Sequence, residues 1–142
     1  MAKMTAEKRC HSLPSFAVKV QRRMRGGLKN KMVVDVNHEL FKKLISGICD
    51  IYGDRLISII LYGSVARNTA TIDSDIDIAL LVKNDDPFMH DRMLDVLTDL
   101  DLEYDQVLSP SIIEKDQYDK WKAVLPYYRN IEKEGVVLWT AA

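Results

Sequence analysis

The chain has 142 residues, 47% of them hydrophobic and 29% charged, which suits one domain with a real core and leaves no room for a second substrate-binding domain. No apolar run is long enough to span a membrane and no cleavable signal peptide is visible, so a cytoplasmic protein is expected. Cys10 and Cys49 lie far apart, and His11, His38 and His90 add no ligand pattern. A zinc site is therefore not expected, and both cysteines read as free thiols, Cys49 buried in a helix.

The net charge of −1 conceals an asymmetry: residues 1–31 hold nine Lys/Arg against one acid, Glu7, a balance of +8, and the remaining residues hold 11 bases and 20 acids, a balance of −9. Residues 1–31 show little apolar periodicity and end in Arg25-Gly26-Gly27, which reads as a basic, disordered tail. Phe16, Val20 and Met24 fall four apart, so a short basic amphipathic helix that binds nucleic acid or an anionic membrane is the sharper alternative. Residues 32–142 form the domain.

Within the domain, Asn37 is placed to cap a helix with apolar positions Leu40, Phe41, Leu44, Ile48 and Ile51, ended by Gly53. Leu56–Tyr62 is a strand rich in β-branched residues, and the turn Gly63-Ser64 opens a short helical stretch over Val65–Asn68. A polar turn over Thr69–Ser74 leads to a strand over Asp75–Val82, apolar on both faces after its start and therefore central. Pro87 starts a helix with a buried stripe of Met89, Met93, Val96, Leu97 and Leu100. A third strand is expected over Glu103–Leu108, stopped by Ser109-Pro110, then helices over Asp116–Val124 and Tyr127–Glu134 and a last strand over Val136–Trp139. The fold class is a small α+β or α/β sheet with packed helices.

The chemistry sits between Ile59 and Val82. Alternation along a strand puts Asp75 and Asp77 on one side of the sheet and Ile76 and Ile78 on the other. Two like charges side by side oppose ionisation unless a cation lies between them. A pair of hard oxygen ligands suits magnesium, which keeps its other positions for water and phosphate. Gly63 lets the backbone approach a ligand, and the Ser64 hydroxyl and nearby amides can bind phosphate oxygens. Aspartates that merely keep a strand end soluble are the bland alternative, but two on one face beside a fully apolar run require a reason.

Gly63-Ser64-Val65-Ala66-Arg67, a ten-residue spacer after Ser64 and then Asp75-Ile76-Asp77 resemble the signature of the DNA polymerase β-like nucleotidyltransferases, in particular their minimal (MNT-type) members. Leu108-Ser109-Pro110 and the stretch from Pro126 to Val136 are also similar to that group, so the resemblance runs from about Val36 to Leu138. It implies a single minimal polymerase β-like catalytic sheet, two magnesium ions held by Asp75 and Asp77, and ATP or another nucleoside triphosphate as substrate. It further implies a third carboxylate on a later strand. Glu103 and Asp105 are the candidates, Asp105 preferred as the deeper, whereas Asp101 lies too close to the helix end. Arg67 matches the family's arginine, as a phosphate ligand or a structural ion pair; the usual glycine after it is Asn68 here, which also tolerates a left-handed backbone. Lys83 and Arg129 read as solvated or structural, and Tyr62, Tyr127, Tyr128, Trp121 and Trp139 as core or interface residues rather than a base-stacking platform.

The activity implied is transfer of a nucleoside monophosphate, AMP from ATP, to a hydroxyl. Minimal members resemble antitoxins that adenylylate a tyrosine of a helical HEPN-type toxin, so such a toxin is the expected partner. The rivals are a binding antitoxin without catalysis, and an enzyme acting on a small acceptor such as an aminoglycoside.

Overall fold

The computed structural model describes residues 39–67, 70 and 74–141. The basic tail, the Asn37 cap and most of the polar turn before Asp75 lie outside the described residues.

Helix α1 (Glu39–Tyr52) buries Leu40, Phe41, Leu44, Ile48 and Ile51 together with Ile45, Cys49 and Tyr52. Gly53, at φ +52°, ends it, and one 3-10 turn leads into β1 (Leu56–Tyr62). Cys49, buried in α1, is disulfide-bonded rather than a free thiol. The short helix α2 (Gly63–Ala66) follows, then β2 (Ile76–Val82). The side chain of Asp86 accepts the Met89 N–H at 2.9 Å, and Pro87 takes the first turn of α3 (Pro87–Tyr104). Arg55 meets the same Asp86 at 3.0 Å and so ties the entry of β1 to the cap of α3.

The expected third strand over Glu103–Leu108 is not formed. The helical stripe Met93, Leu97, Leu100 continues to Tyr104, which packs on the core, and Lys43 of α1 pairs with Glu103 and lies over the Tyr104 ring. These contacts hold the last turn of α3 against α1. Asp105 then takes a left-handed conformation at the helix end (φ 52°, ψ 44°). The third strand, β3, is Leu108–Glu114, so Ser109-Pro110 belongs to it instead of stopping it. Pro110 is tolerated because β3 is an edge strand. Helices α4 (Lys115–Trp121) and α5 (Pro126–Glu134) and strand β4 (Val136–Thr140) complete the fold.

The sheet order is β3-β2-β1-β4, with β2 and β4 antiparallel to β1 and β3 parallel to β2. One face, carrying Ile59, Leu61, Ile76, Ile78, Leu80 and Val82, packs on α1 and α3 as the main core. The opposite face carries a smaller cluster of Ala79, Ile113 and Ile131, against which Ile60, Tyr62, Leu81, Tyr118 and Tyr128 pack from β1, β2, α4 and α5. Asp77 shares the parity of Ala79 and Leu81, so it belongs to this second, thinly covered face.

Gly135 is the tightest joint of that cover. A Cβ there would run into the Ile131 carbonyl oxygen and come within 2.6 Å of Ile60 Cγ2. Gly135→Ala is therefore expected to lower stability by about 1–3 kcal/mol through overpacking. Urea unfolding measures it, and an unchanged midpoint would mean that α5 is not clamped to β1.

Candidate active site

The β1–β2 register sets Tyr62 opposite Asp77, and Gly63 follows Tyr62 at φ +73°, a conformation that suits glycine. A Cβ on Gly63 would collide with Asp77 Oδ2 and lie 3.1 Å from Asp77 Cγ. The carboxylate thus rests directly over the α-carbon of the turn. Behind it the turn is closed by Arg67 N–H donating to the Gly63 carbonyl and Ala70 N–H to the Ser64 carbonyl, each at 3.0 Å.

On the other side of β2, the parallel register sets Ser109 of β3 opposite Asp77. The Ser109 hydroxyl donates to Asp75 Oδ2 at 3.3 Å. Asp75 and Asp77 therefore converge at the start of β2, between the Gly63-Ser64 turn and Ser109. Burial and then the charge of Asp75 hold the Asp77 carboxyl above the usual carboxylate range, while the Arg67 guanidinium acts in the opposite direction. Asp101, near the end of α3, accepts the Leu108 N–H at 2.9 Å; burial and, more weakly, Asp75 raise its carboxyl against the lowering effect of that hydrogen bond. Arg67 also reaches Glu134 of α5 at 3.3 Å, with both side chains near half exposure. Its ion pair is thus with Glu134 and not with a site acid, while its charge still acts on Asp77.

Gly63, Ser64, Arg67, Asp75 and Asp77 come together as the sequence motif implies. Glu103 lies on α3 and Asp105 at its end rather than on a strand, and no group of three His, Cys, Asp or Glu suited to one metal ion occurs among the described residues. The contributions of Ser109, Glu134 and Tyr62 were missed. The signal for Ser109 was available in principle, because a strand placed at Leu108–Glu114 puts it across from Asp77. Reading Ser109-Pro110 as a stop hid it.

Two carboxylates on one face, a hydroxyl beside them and a cationic guanidinium at the rim fit a magnesium ion shared with a triphosphate, since magnesium takes one or two carboxylates and completes its shell with phosphate and water. The raised Asp77 carboxyl points the same way: the pair is short of positive charge. This has a pH consequence. A carboxyl raised in the folded state binds more protons there than in the unfolded chain, so stability falls as pH rises from the ordinary aspartate range through the raised value. Asp77→Asn is expected to flatten that fall and to leave the metal-free protein at least as stable at neutral pH. Magnesium should raise the melting temperature of the wild type only. Thermal unfolding across pH 3–8, with and without magnesium, checks both, and a steeper fall in Asp77→Asn would refute the assignment.

Comparison with known proteins agrees with this geometry. Residues 41–138 match the nucleotidyltransferase domain family. A protein of Methanocaldococcus jannaschii that carries the provisional name protein adenylyltransferase is 36% identical over 98 residues, covering 69% of this chain and 93% of that protein. A second protein of the same organism and provisional name is 33% identical over 79 residues, covering 54% and 79% respectively. Among solved structures, a toxin–antitoxin crystallised with AMP-PNP is similar at 21% identity and a TM-score of 0.47, covering 69% of this chain and 72% of that one. The domain match covers most of the chain, and both the Gly63-Ser64 turn and the Asp75/Asp77 pair fall inside it: the chain belongs to the nucleotidyltransferase domain family.

Proposed function

We propose that this protein transfers AMP from ATP to a hydroxyl group of a partner protein, with magnesium as the metal. The observation that carries the reading is the Asp77 carboxylate seated over the Gly63 α-carbon with Asp75 beside it, which brings metal ligands and a phosphate-binding turn to one point. A protein acceptor is supported by the name borne by a relative that matches over 93% of its own length. The identity of that acceptor as a HEPN-type toxin, silenced by the modification, rests on the resemblance of the motif to antitoxins of that kind.

In the transfer, the acceptor hydroxyl gives up its proton to solvent as its oxygen forms a bond to the α-phosphorus, the bond between that phosphorus and the bridging oxygen to the β-phosphate breaks, and pyrophosphate leaves. Bound magnesium would supply charge neutralisation for the attacking and leaving oxygens. Asp75 and Asp77 would hold it, with the Ser109 hydroxyl donating to Asp75 Oδ2. The Gly63-Ser64 turn receives the β- and γ-phosphates close to the backbone. Arg67, already beside Asp77, adds positive charge to the same rim.

One observation favours a second reading, a binding antitoxin without transfer. The strand position directly across from Asp77 carries a neutral serine, Ser109, rather than a further carboxylate. The two readings separate in one experiment. The full chain is incubated with magnesium, ATP labelled at the α-phosphate and a co-expressed HEPN-type protein, beside an Asp75→Ala/Asp77→Ala control. Label on the partner that falls roughly 100-fold or more in the control is the expected result. A stable complex with no label in either sample would leave the binding role and remove the transfer.

A further inference from the structure

The short connection between α3 and β3 is gathered on one residue that neither the phosphate turn nor the aspartate pair includes. Asp101 lies in the last turn of α3. Its backbone carbonyl accepts the N–H of Asp105, where the chain turns left-handed, and the N–H of Gln106 at 3.4 Å. Its side chain reaches past the helix end, and Asp101 Oδ1 accepts the Leu108 N–H at 2.9 Å. Between these bonds the Val107 carbonyl accepts the Ile76 N–H at 2.8 Å. Leu108 is the register partner of Ile76, and Ser109 that of Asp77. One carboxylate thus holds the residue that enters β3, directly before the serine that meets Asp75.

Strand β3 has need of such a hold. It is an edge strand, parallel to β2, so a neighbour on one side alone sets its position, and Pro110, directly after Ser109, has no N–H to add. Ser109 donates to Asp75 Oδ2 at 3.3 Å, which is long for a hydroxyl on a carboxylate, so a small shift of β3 breaks that bond. Burial and, more weakly, the charge of Asp75 raise the Asp101 carboxyl against the lowering effect of the Leu108 N–H. The clamp on β3 therefore lies within electrostatic reach of Asp75.

We propose that Asp101 is a positioning residue for the metal site: by holding Leu108 it sets Ser109 against Asp75, and so orients that carboxylate toward the cation. This rests on the reading of Asp75 and Asp77 as magnesium ligands. Asp101 touches neither metal nor nucleotide in this role and acts through β3 and Ser109. Groups that orient a metal-binding carboxylate change metal affinity by about 10- to 100-fold when removed, without being ligands themselves. What Asp101 supplies is an acceptor oxygen at a fixed place rather than its charge. A carboxamide there serves equally, and a carboxylate on a longer arm does not.

Thermal unfolding of the full-length chain against titrated magnesium chloride gives two quantities for each variant: the melting temperature without metal and an apparent magnesium dissociation constant. Ser109→Ala and Asp101→Ala are each expected to weaken magnesium binding by about 10-fold. The double variant is expected to bind no more weakly than the weaker single one, because the two residues act in series. Asp101→Asn, which keeps an oxygen for the Leu108 N–H, stays close to the wild type. Asp101→Glu, which keeps the charge and displaces the oxygen, weakens magnesium as Asp101→Ala does, and this pair of variants decides the question even if Asp101→Ala does not fold. Magnesium affinity unaltered in Asp101→Glu would overturn the proposal, as would a lower melting temperature with unaltered magnesium affinity in Asp101→Ala, since Asp101 would then serve the fold alone. So would effects that multiply in the double variant to about 100-fold, or an Asp101→Asn as impaired as Asp101→Ala, since charge would then be what counts. Asp75→Ala/Asp77→Ala tests the parent reading by itself: magnesium binding that survives it removes the metal site, and the positioning role with it, whatever the Asp101 variants do.

Discussion

The site depends on the register between β1 and β2. With Tyr62 opposite Asp77, the carboxylate lands over the one residue, Gly63, that has no side chain to displace it. Because strand side chains alternate with a period of two, a slip of one residue would turn both aspartates into the main core and expose Ile76 and Ile78 instead. The cost of burying two unpaired carboxylates forbids that arrangement. The same alternation that fills the core with Ile76, Ile78, Leu80 and Val82 therefore also aims the ligands, and fold stability and site geometry are specified together.

The two faces of the sheet divide the labour. Helices α1 and α3 bury the large cluster and hold the strands in place. Among the described residues, the other face is covered by the short helices α4 and α5, which join a cluster of three buried residues and a fringe of partly buried ones. That thin cover touches the site at two places, through Glu134 on Arg67 and through Tyr127 on Tyr62. Surface ion pairs contribute little to stability, so the Arg67–Glu134 contact adds little to the hold of α5 on the sheet.

Much of this was legible in the sequence because it follows from local patterns. β1 occupies Leu56–Tyr62 as its β-branched run indicates, α1 buries each of its periodic apolar positions, and Pro87 opens α3. Pro126 begins α5 as its first residue instead of merely separating two helices. The failure at Glu103–Leu108 had a non-local cause. Leu102, Glu103 and Tyr104 alternate in polarity as a strand would, but Tyr104 also continues the helical stripe and packs on the core formed with residues distant in sequence. The parallel partner of β2 could not be placed without that packing. Asp105 was accordingly carried to the wrong element, and Ser109, which meets Asp75, was overlooked. The Gly-Ser turn and the paired aspartates needed no tertiary information, since one turn and one strand contain them.

The electrostatics explain why such a site has to be completed from outside the chain. Asp75 raises the Asp77 carboxyl, and Arg67 offsets this only in part because Glu134 shares its charge. A third carboxylate at Ser109 would deepen the repulsion in the free protein, where no cation relieves it. A neutral hydroxyl in that place avoids the penalty and still orients Asp75. Under the proposed transfer, a cation at this point would neutralise the aspartates, and the charge of Arg67 would act on its phosphates as it now acts on Asp77. The Asp75 and Asp77 pair at the start of β2 is what leaves such a site short of positive charge in the free protein.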